Sequence, residues 1–289
     1  MRIDLMAGAG LSLAPVGVAP EPTILVFDSG LGGLTVLEAV RRARPDARYV
    51  YAADDAAFPY GRLSEADLVA RVLDVMGQLI AAHRPDLVVI ACNTASTLVL
   101  PALRQRFTTP FVGVVPPIKP AAATTRSGLI TLLATPGTVA RSYTRDLIAT
   151  YASACAVTLV GSRNLATFAE AEMAGTPVDD ATLLAEIATC FVSAGDGRRT
   201  DVVCLSCTHY PLLLPRLRAL APWPVTWIDP APAIARRVVQ LLGQGSRAET
   251  HGVLAAFTAG TSLTAPLRDS LTLRGVNEVT VESIPLRMQ

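Results

Sequence analysis

A cysteine at the end of an apolar run is the first residue in this sequence that points to chemistry. Cys92 follows the run Asp86–Ala91, and the polar residues Asn93 and Thr94 come directly after it. Most isolated cysteines are small packing residues, but a polar loop is a poor place for an inert thiol. If a helix begins here, its N-terminus favours negative charge, and we expect a lowered pKa for Cys92.

A second cysteine has the same setting. Cys207 follows the apolar run Val202–Leu205 and precedes Thr208 and His209. An imidazole close to a thiol can activate it or hydrogen-bond a substrate. The sequence therefore predicts two reactive thiols, each at the end of a buried strand.

Two other interpretations of these cysteines compete. Cys204 and Cys207 form a C-x-x-C pair, but Cys204 falls within the apolar run and the surrounding motif is not thioredoxin-like. Cys204, Cys207 and His209 could bind zinc, yet no second ligand cluster of the usual spacing follows, so we predict no metal site. Cys155, Cys190 and Cys204 are assigned to packing.

The third feature with chemical potential is a glycine-rich turn, Asp28–Gly33, after another apolar run. Such a turn can hold an anion on backbone N–H groups. It is not G-x-G-x-x-G, which makes nucleotide binding a weak interpretation, and its glycines also suit a tight turn. Asp28 is placed to position a substrate amine or a catalytic thiol. Pro59-Tyr60-Gly61 indicates a turn and nothing more.

The elements that would position these residues are short apolar runs that alternate with longer helical patterns. Continuous apolar runs bounded by turns are typical of strands buried on both faces of a parallel sheet. The alternation predicts an α/β fold, in which ligands bind at the carboxyl ends of the strands. The clearest strands are Ile24–Phe27, Asp86–Ala91, Phe111–Val115, Leu129–Leu133 and Val202–Leu205.

Two helices and a linker complete the pattern. Apolar residues recur at helical spacing over Glu65–His83, with Ser64 as the expected N-cap. A second helix is predicted over Ala95–Arg106, interrupted or kinked at Pro101. The segment Pro116–Pro120 then breaks the alternation, which predicts a domain linker.

Composition excludes several classes of protein. The chain of 289 residues has room for two domains, and its net charge of +1 with no basic block disfavours nucleic acid and membrane surfaces as partners. No stretch approaches the roughly 18 apolar residues of a membrane span. Only Lys119, within the proline-rich segment, could form a Schiff base with pyridoxal phosphate, so the sequence disfavours that cofactor.

The cysteine count and the N-terminus bear on the compartment. Five cysteines, an odd number, in a chain of this length favour reduced thiols in a cytosolic protein. Residues 1–21 are rich in Ala, Gly and Pro. A signal peptide is the alternative, but Asp4 and a broken apolar run favour a disordered or loosely ordered extension.

Together these stretches resemble the glutamate racemases of the aspartate/glutamate racemase superfamily. They occur in the family's order and cover residues from about 24 to 240. Any one of them is modest evidence, whereas all five in order are specific. The matching stretches are Phe27–Gly33, Phe58–Gly61, Ala91–Ser96, Ala134–Val139 and Cys207–Leu213.

The resemblance implies two flavodoxin-like α/β domains with mainly parallel sheets, related by pseudo-two-fold symmetry, with the active site between them. The first domain takes 22–117 plus 226–289, and the second takes 118–225. The implied catalytic residues are Cys92, Cys207, Asp28 and His209. The implied substrate contacts are Asp28, Ser29, Tyr60, Gly61, Asn93, Thr94, Thr138, Thr208 and His209.

The resemblance also implies an activity. In the family, the cysteine matching Cys92 deprotonates D-glutamate and the one matching Cys207 deprotonates L-glutamate, without a cofactor. D-glutamate is a building block of peptidoglycan, so a cytoplasmic homodimer that serves cell-wall synthesis is expected. The alternatives are a racemase or decarboxylase of the same superfamily acting on aspartate or another small acid, a thiol–disulfide oxidoreductase, and a binding protein with a degenerate site.

The sequence departs from the family pattern in two places. Many members have Glu-Pro-Gly where this chain has Pro116-Pro117-Ile118. Many also carry a glutamate near the position of Arg163 that assists the second cysteine's side. Arg163 cannot take that part, and Glu170 and Glu172 are the candidates for it.

Overall fold

The computed structural model describes residues 21–245, 251–260 and 263–285. Apart from Glu21, the extension expected at residues 1–21 lies outside the described residues. Within these ranges the chain forms ten strands in two sheets, with helices between the strands. The predicted α/β class is confirmed.

The strands are short and mostly buried, with the exception of the three edge strands β6, β8 and β10. Runs of Val, Ile, Leu and Ala fill both faces of the sheets, which explains why these segments adopt extended structure. In chain order the strands are β1 Thr23–Asp28, β2 Arg48–Ala53, β3 Leu87–Ile90, β4 Phe111–Gly113, β5 Leu129–Ala134, β6 Ala156–Gly161, β7 Val202–Ser206, β8 Thr226–Ile228, β9 Val253–Phe257 and β10 Val276–Val281.

Helices cover the faces of both sheets, and short 3₁₀ turns lie at Asp55–Ala57, Tyr60–Arg62, Ala188–Cys190 and Tyr210–Leu213. The helices are α1 Leu34–Ala43, α2 Glu65–His83, α3 Asn93–Arg106, α4 Ile118–Thr124, α5 Pro136–Ala140, α6 Ser142–Tyr151, α7 Leu165–Met173, α8 Asp180–Ile187, α9 Leu214–Leu220, α10 Ala231–Leu242 and α11 Ala265–Leu273. Among the residues that the structure describes, no helix has the length and apolar character needed to cross a bilayer.

The two sheets share one strand order. The first sheet runs β10-β9-β2-β1-β3-β4, and the second runs β6-β5-β7-β8. All named pairs are parallel. The four strands β2-β1-β3-β4 therefore have the same order as β6-β5-β7-β8, and β3 corresponds to β7.

One predicted boundary differs from the structure. The first domain was expected to resume at 226, but Thr226–Ile228 pairs with Val202–Cys204 at the edge of the second sheet. The return follows this strand, and α10 then packs on α1 of the first domain. The cause is backbone pairing between β7 and β8, which the local sequence does not reveal.

The predicted helices are confirmed with small changes at their ends. Ser64 caps α2, since its Oγ accepts a hydrogen bond from the Asp67 N–H at 3.1 Å. Helix α3 begins at Asn93, two residues before the predicted start, and contains Pro101 within its length. The segment Pro116–Pro120 is only partly a linker, because α4 begins at Ile118 and a proline is tolerated in a first turn.

Candidate active site

The carboxylate of Asp28 lies at the centre of the site. Asp28 ends β1 and is fully buried. It accepts hydrogen bonds from the backbone N–H groups of Ser29, at 2.7 Å, and Gly33, and from Thr208 Oγ1 of the second domain at 3.1 Å. Burial raises the pKa of Asp28, and the nearby charge of His209 opposes that rise. Asp28 therefore joins the two domains at the ends of their sheets.

Cys92 lies between β3 and α3, with its sulfur 3.7 Å from Ser29 Oγ. It is only 5% exposed. Burial raises its pKa, and the charge of Asp28 adds to the rise. The Ala95 N–H at the helix N-terminus and the Ser29 hydroxyl lower the pKa by less, so the expected lowered pKa was wrong because burial outweighs the helix N-terminus.

Cys207 follows β7, the strand that corresponds to β3, and is 7% exposed. Its sulfur lies 3.8 Å from Nδ1 of His209. The charge of Cys207 also contributes to the raised pKa of Cys92. Thr208, next to Cys207, donates to Asp28, which precedes the Ser29 that contacts Cys92. The structure thus brings both sequence-predicted cysteines to one place.

His209 contacts three side chains, those of Glu170, Phe58 and Cys207. Its Nε2 donates to Oε1 of Glu170 at 2.9 Å, and its ring stacks against Phe58 with 5.4 Å between centroids. Burial lowers the pKa of His209, but the hydrogen bonds to Cys207 and Glu170 and the charge of Asp28 outweigh burial and raise it well above its ordinary value. These partners therefore favour the protonated imidazole.

The structure separates the two candidate glutamates. Glu170, on α7, accepts hydrogen bonds from His209 and from the Leu31 N–H of the first domain at 2.8 Å. Glu172 instead pairs with Arg216 at 2.8 Å. Nothing in the local sequence distinguishes them, because only the helical register of α7 turns Glu170 toward the site.

We expect Glu170→Gln to lower the pKa of His209. The hydrogen bond to the Glu170 carboxylate is one of the causes of the raised pKa, and the neutral amide of glutamine is a weaker acceptor for an imidazolium N–H. An NMR titration of the imidazole resonances checks this, with His209→Asn used to assign the signal. An unchanged His209 titration in Glu170→Gln would contradict the assignment.

Two glycines of the Asp28–Gly33 turn are required by close approach across the domain interface. A Cβ on Gly32 would lie 2.5 Å from the backbone nitrogen of His209, and one on Gly30 would overlap Glu170 Oε1. Neither glycine has a positive φ. The tight-turn interpretation is therefore incomplete, because these positions let second-domain groups reach the first domain's backbone.

Polar groups at the start of α3 face the second domain. Thr94 Oγ1 lies 3.0 Å from Thr135 Oγ1, which lies 3.1 Å from Thr138 Oγ1 at α5. The Asn93 side chain is buried, and no described residue hydrogen-bonds its amide nitrogen or oxygen. A buried amide without a protein partner is costly, so this end of α3 has unused donor and acceptor capacity.

Tyr60 and Gly61 belong to a short 3₁₀ turn of the first domain that borders a cavity between the domains. The Tyr60 hydroxyl donates to Oδ2 of Asp54 at 2.6 Å and is therefore already engaged. A Cβ added to Gly61 would have no atom within 4 Å, and this glycine borders a cavity of about 280 Å³. Both domains line this cavity, through Pro59, Gly61 and Arg62 from the first and Thr135, Pro136, Ser162, Arg163, Asn164 and Ala166 from the second.

The C-x-x-C alternative finds no support in the geometry. Cys204 is fully buried with Ile118 in one core cluster, and its thiol donates to the carbonyl of Pro117 at 3.8 Å. Cys207 belongs to a different cluster, with Tyr210. All five cysteines are free thiols.

The comparisons with known proteins agree with this arrangement. The Asp/Glu/Hydantoin racemase family profile matches residues 34–238. A glutamate racemase of Brucella canis is 57% identical over 237 residues, which cover 82% of this chain and 85% of that protein.

Solved structures are also similar. The Escherichia coli glutamate racemase in complex with L-glutamate and the activator UDP-MurNAc-Ala superposes with a TM-score of 0.83 and 41% identity, over 91% of this chain and 99% of that chain. A Thermus thermophilus glutamate racemase in complex with β-chloro-D-alanine gives a TM-score of 0.73 and 28% identity, over 92% and 98% of the two chains.

Proposed function

The chain belongs to the Asp/Glu/hydantoin racemase family, and we propose that it interconverts L- and D-glutamate, without a cofactor, by proton transfer between the α-carbon and two thiols. One observation carries the mechanism: corresponding strands β3 and β7 are each followed by a nearly buried cysteine, and Asp28 lies between them, since its neighbour Ser29 contacts Cys92 and Thr208, next to Cys207, donates to its carboxylate. Similarity to glutamate racemases from Brucella canis and Escherichia coli supports glutamate as the substrate.

The reaction requires a base on each face of the substrate. Inverting the α-carbon means removing its proton on one face and delivering a proton on the other. Cys92, from the first domain, would act on D-glutamate, and Cys207, from the second, on L-glutamate. At each turnover one sulfur begins as the thiolate and the other as the thiol.

The ammonium group of an amino-acid substrate would counteract the raised pKa of Cys92. Burial and the carboxylate of Asp28 keep the pKa of Cys92 raised. The ammonium group of an amino acid bound beside Asp28 would add a positive charge near the sulfur, which favours the thiolate. Ionisation of the thiol is then coupled to binding of the substrate. His209, whose Nδ1 lies 3.8 Å from the Cys207 sulfur and whose pKa is raised, is placed to exchange the proton that Cys207 carries.

The carbanion delocalises into the α-carboxylate, and fixed donors must stabilise the enediolate-like transition state. The unused amide of Asn93 is a candidate, together with the hydroxyls or backbone N–H groups of Ser29, Thr94 and Thr208. We assign the remaining substrate contacts to Tyr60, Gly61 and Thr138, of which Gly61 lines the cavity between the domains.

The wider role follows from the product. D-glutamate is a building block of bacterial peptidoglycan, so we place the enzyme in cell-wall synthesis, in the cytoplasm, as a homodimer. The family membership supports this role.

A chiral assay on purified, dialysed protein tests the activity. We expect glutamate of either hand to be driven to the racemic mixture, with aspartate converted far more slowly. Borohydride, which reduces lysine Schiff bases, should have no effect, and Lys119→Ala should remain active. Faster racemisation of aspartate, or release of carbon dioxide, would indicate the alternative activities of the superfamily.

A further inference from the structure

A buried ion pair lies behind the active site and has no part in the proton transfer itself. Arg71 sits on the buried face of α2, between Leu68 and Val72, and is 6% exposed. Its Nε and Nη2 donate to the two carboxylate oxygens of Asp54 at 2.9 and 2.5 Å. An arginine in an apolar helical stripe needs such partners.

Two further donors of this guanidinium are also used. Nη1 of Arg71 donates to the carbonyl of Pro285 at 2.9 Å, and Nη2 donates to that of Ile284 at 2.7 Å. Thr258 Oγ1 donates to Asp54 Oδ1 at 2.7 Å. Four hydrogen bonds from one planar group fix its orientation, and a lysine could not reproduce them.

Asp54 connects this ion pair to residues of the active site. It directly follows β2, and its N–H donates to the carbonyl of Asp28 at 2.9 Å. Its Oδ2 accepts the Tyr60 hydroxyl at 2.6 Å. Between Asp54 and Tyr60 lies Phe58, whose ring stacks on His209. Asp54 therefore holds both ends of the segment 54–60. This segment contains Phe58, which packs on His209, and it ends beside Gly61, which lines the cavity between the domains.

We propose that Arg71 is a positioning residue of the active site, which holds Asp54 so that Tyr60 and its neighbours keep the geometry that binds the substrate. This role rests on the proposed function, because Tyr60 and Gly61 are assigned there as substrate contacts. Arg71 hydrogen-bonds neither thiol and acts on Tyr60 through Asp54.

The chain contains a matched control. Arg44 is 3% exposed, donates through Nε and Nη2 to both oxygens of Asp46 at 2.9 Å, and donates through Nη1 to the carbonyls of Leu242 and Gly243. It lies before β2 begins, at the amino edge of the sheet, whereas Asp54 lies at the carboxyl edge. The two pairs have the same chemistry and differ in their distance from the cleft.

We expect Arg71→Lys to raise the KM for glutamate about tenfold, with kcat changed less than about threefold, because the lost interaction orients a binding wall. Arg71→Lys and Arg44→Lys should lower the Tm by similar amounts, because each breaks a buried ion pair. Arg44→Lys should leave the KM unchanged. A KM for Arg71→Lys that stays at the wild-type value, or a loss confined to kcat, would overturn the proposal.

A double-mutant cycle tests whether Arg71 acts through Tyr60. Tyr60→Phe removes the hydroxyl that Asp54 accepts, so Arg71→Lys should raise the KM little further in that background. Fully additive effects would count against the proposal.

A readout independent of activity separates this role from the proposed function. Hydrogen–deuterium exchange over residues 55–63 should quicken in Arg71→Lys and not in Arg44→Lys, and equal exchange in both variants would refute the positioning role. If the two variants show this exchange difference but the wild-type protein does not racemise glutamate, the proposed function is refuted and the positioning role is not.

Discussion

Cys92→Ala should lower kcat for racemisation by about 10³-fold or more, since one of the two bases is lost. The protein should remain folded, because the substitution removes only the sulfur atom of Cys92, which belongs to a hydrophobic core cluster and contacts Ser29. Racemisation measured from both enantiomers, with the Tm as a check of folding, gives the result. Substantial turnover in the folded variant would contradict the two-thiol mechanism.

Exchange in heavy water distinguishes the two sulfurs. In Cys92→Ala the remaining thiol, Cys207, should still exchange the α-hydrogen of L-glutamate for deuterium without inversion, while D-glutamate stays unlabelled. Cys207→Ala should give the reverse pattern. Cys190→Ala is the matched control, because Cys190 is equally buried and packs in the second domain. Labelling of both enantiomers by either single variant would assign the proton transfer to other groups.

Gly32→Ala should lower kcat/KM by about 10²-fold. The new Cβ would meet the backbone of His209, and backbone cannot move aside as a flexible side chain can. His209 and Thr208 would be displaced from the first domain, and a misplacement of about 1 Å at a catalytic group costs roughly this factor. Overpacking should also destabilise the fold by about 1–3 kcal/mol.

Gly195→Ala provides the comparison for this substitution. Gly195 has no atom within 4 Å of an added Cβ and no positive φ, so its kinetics and stability should match the wild type. If Gly32→Ala also retained wild-type kcat/KM, the close packing of the two domains at this turn would not be needed for activity.

The elements that carry the thiols could be predicted because their signals are local. The apolar runs before Cys92 and Cys207 identify β3 and β7, and helical spacing with a serine cap identifies α2. The order of the strands, by contrast, depends on backbone pairing between distant segments. For that reason β8 was placed with the wrong sheet.

The supporting residues of the site escaped prediction for a related reason. Arg71 interrupts an apolar helical face, which was the available signal, but its partner Asp54 is remote in sequence. Glu170 became distinguishable from Glu172 only through the register of α7. The pKa of Cys92 depends on how deeply the domains bury it, and sequence position describes only the helix terminus.

The common strand order of the two sheets has a consequence for handedness. A protein is itself chiral, and a single asymmetric pocket fits the two mirror forms of a small molecule unequally. Here the same four-strand order occurs in both sheets, and in each sheet a cysteine follows the corresponding strand, β3 or β7. Each half supplies one sulfur, so removal of the α-hydrogen from the L-form and from the D-form would fall to different halves of the molecule.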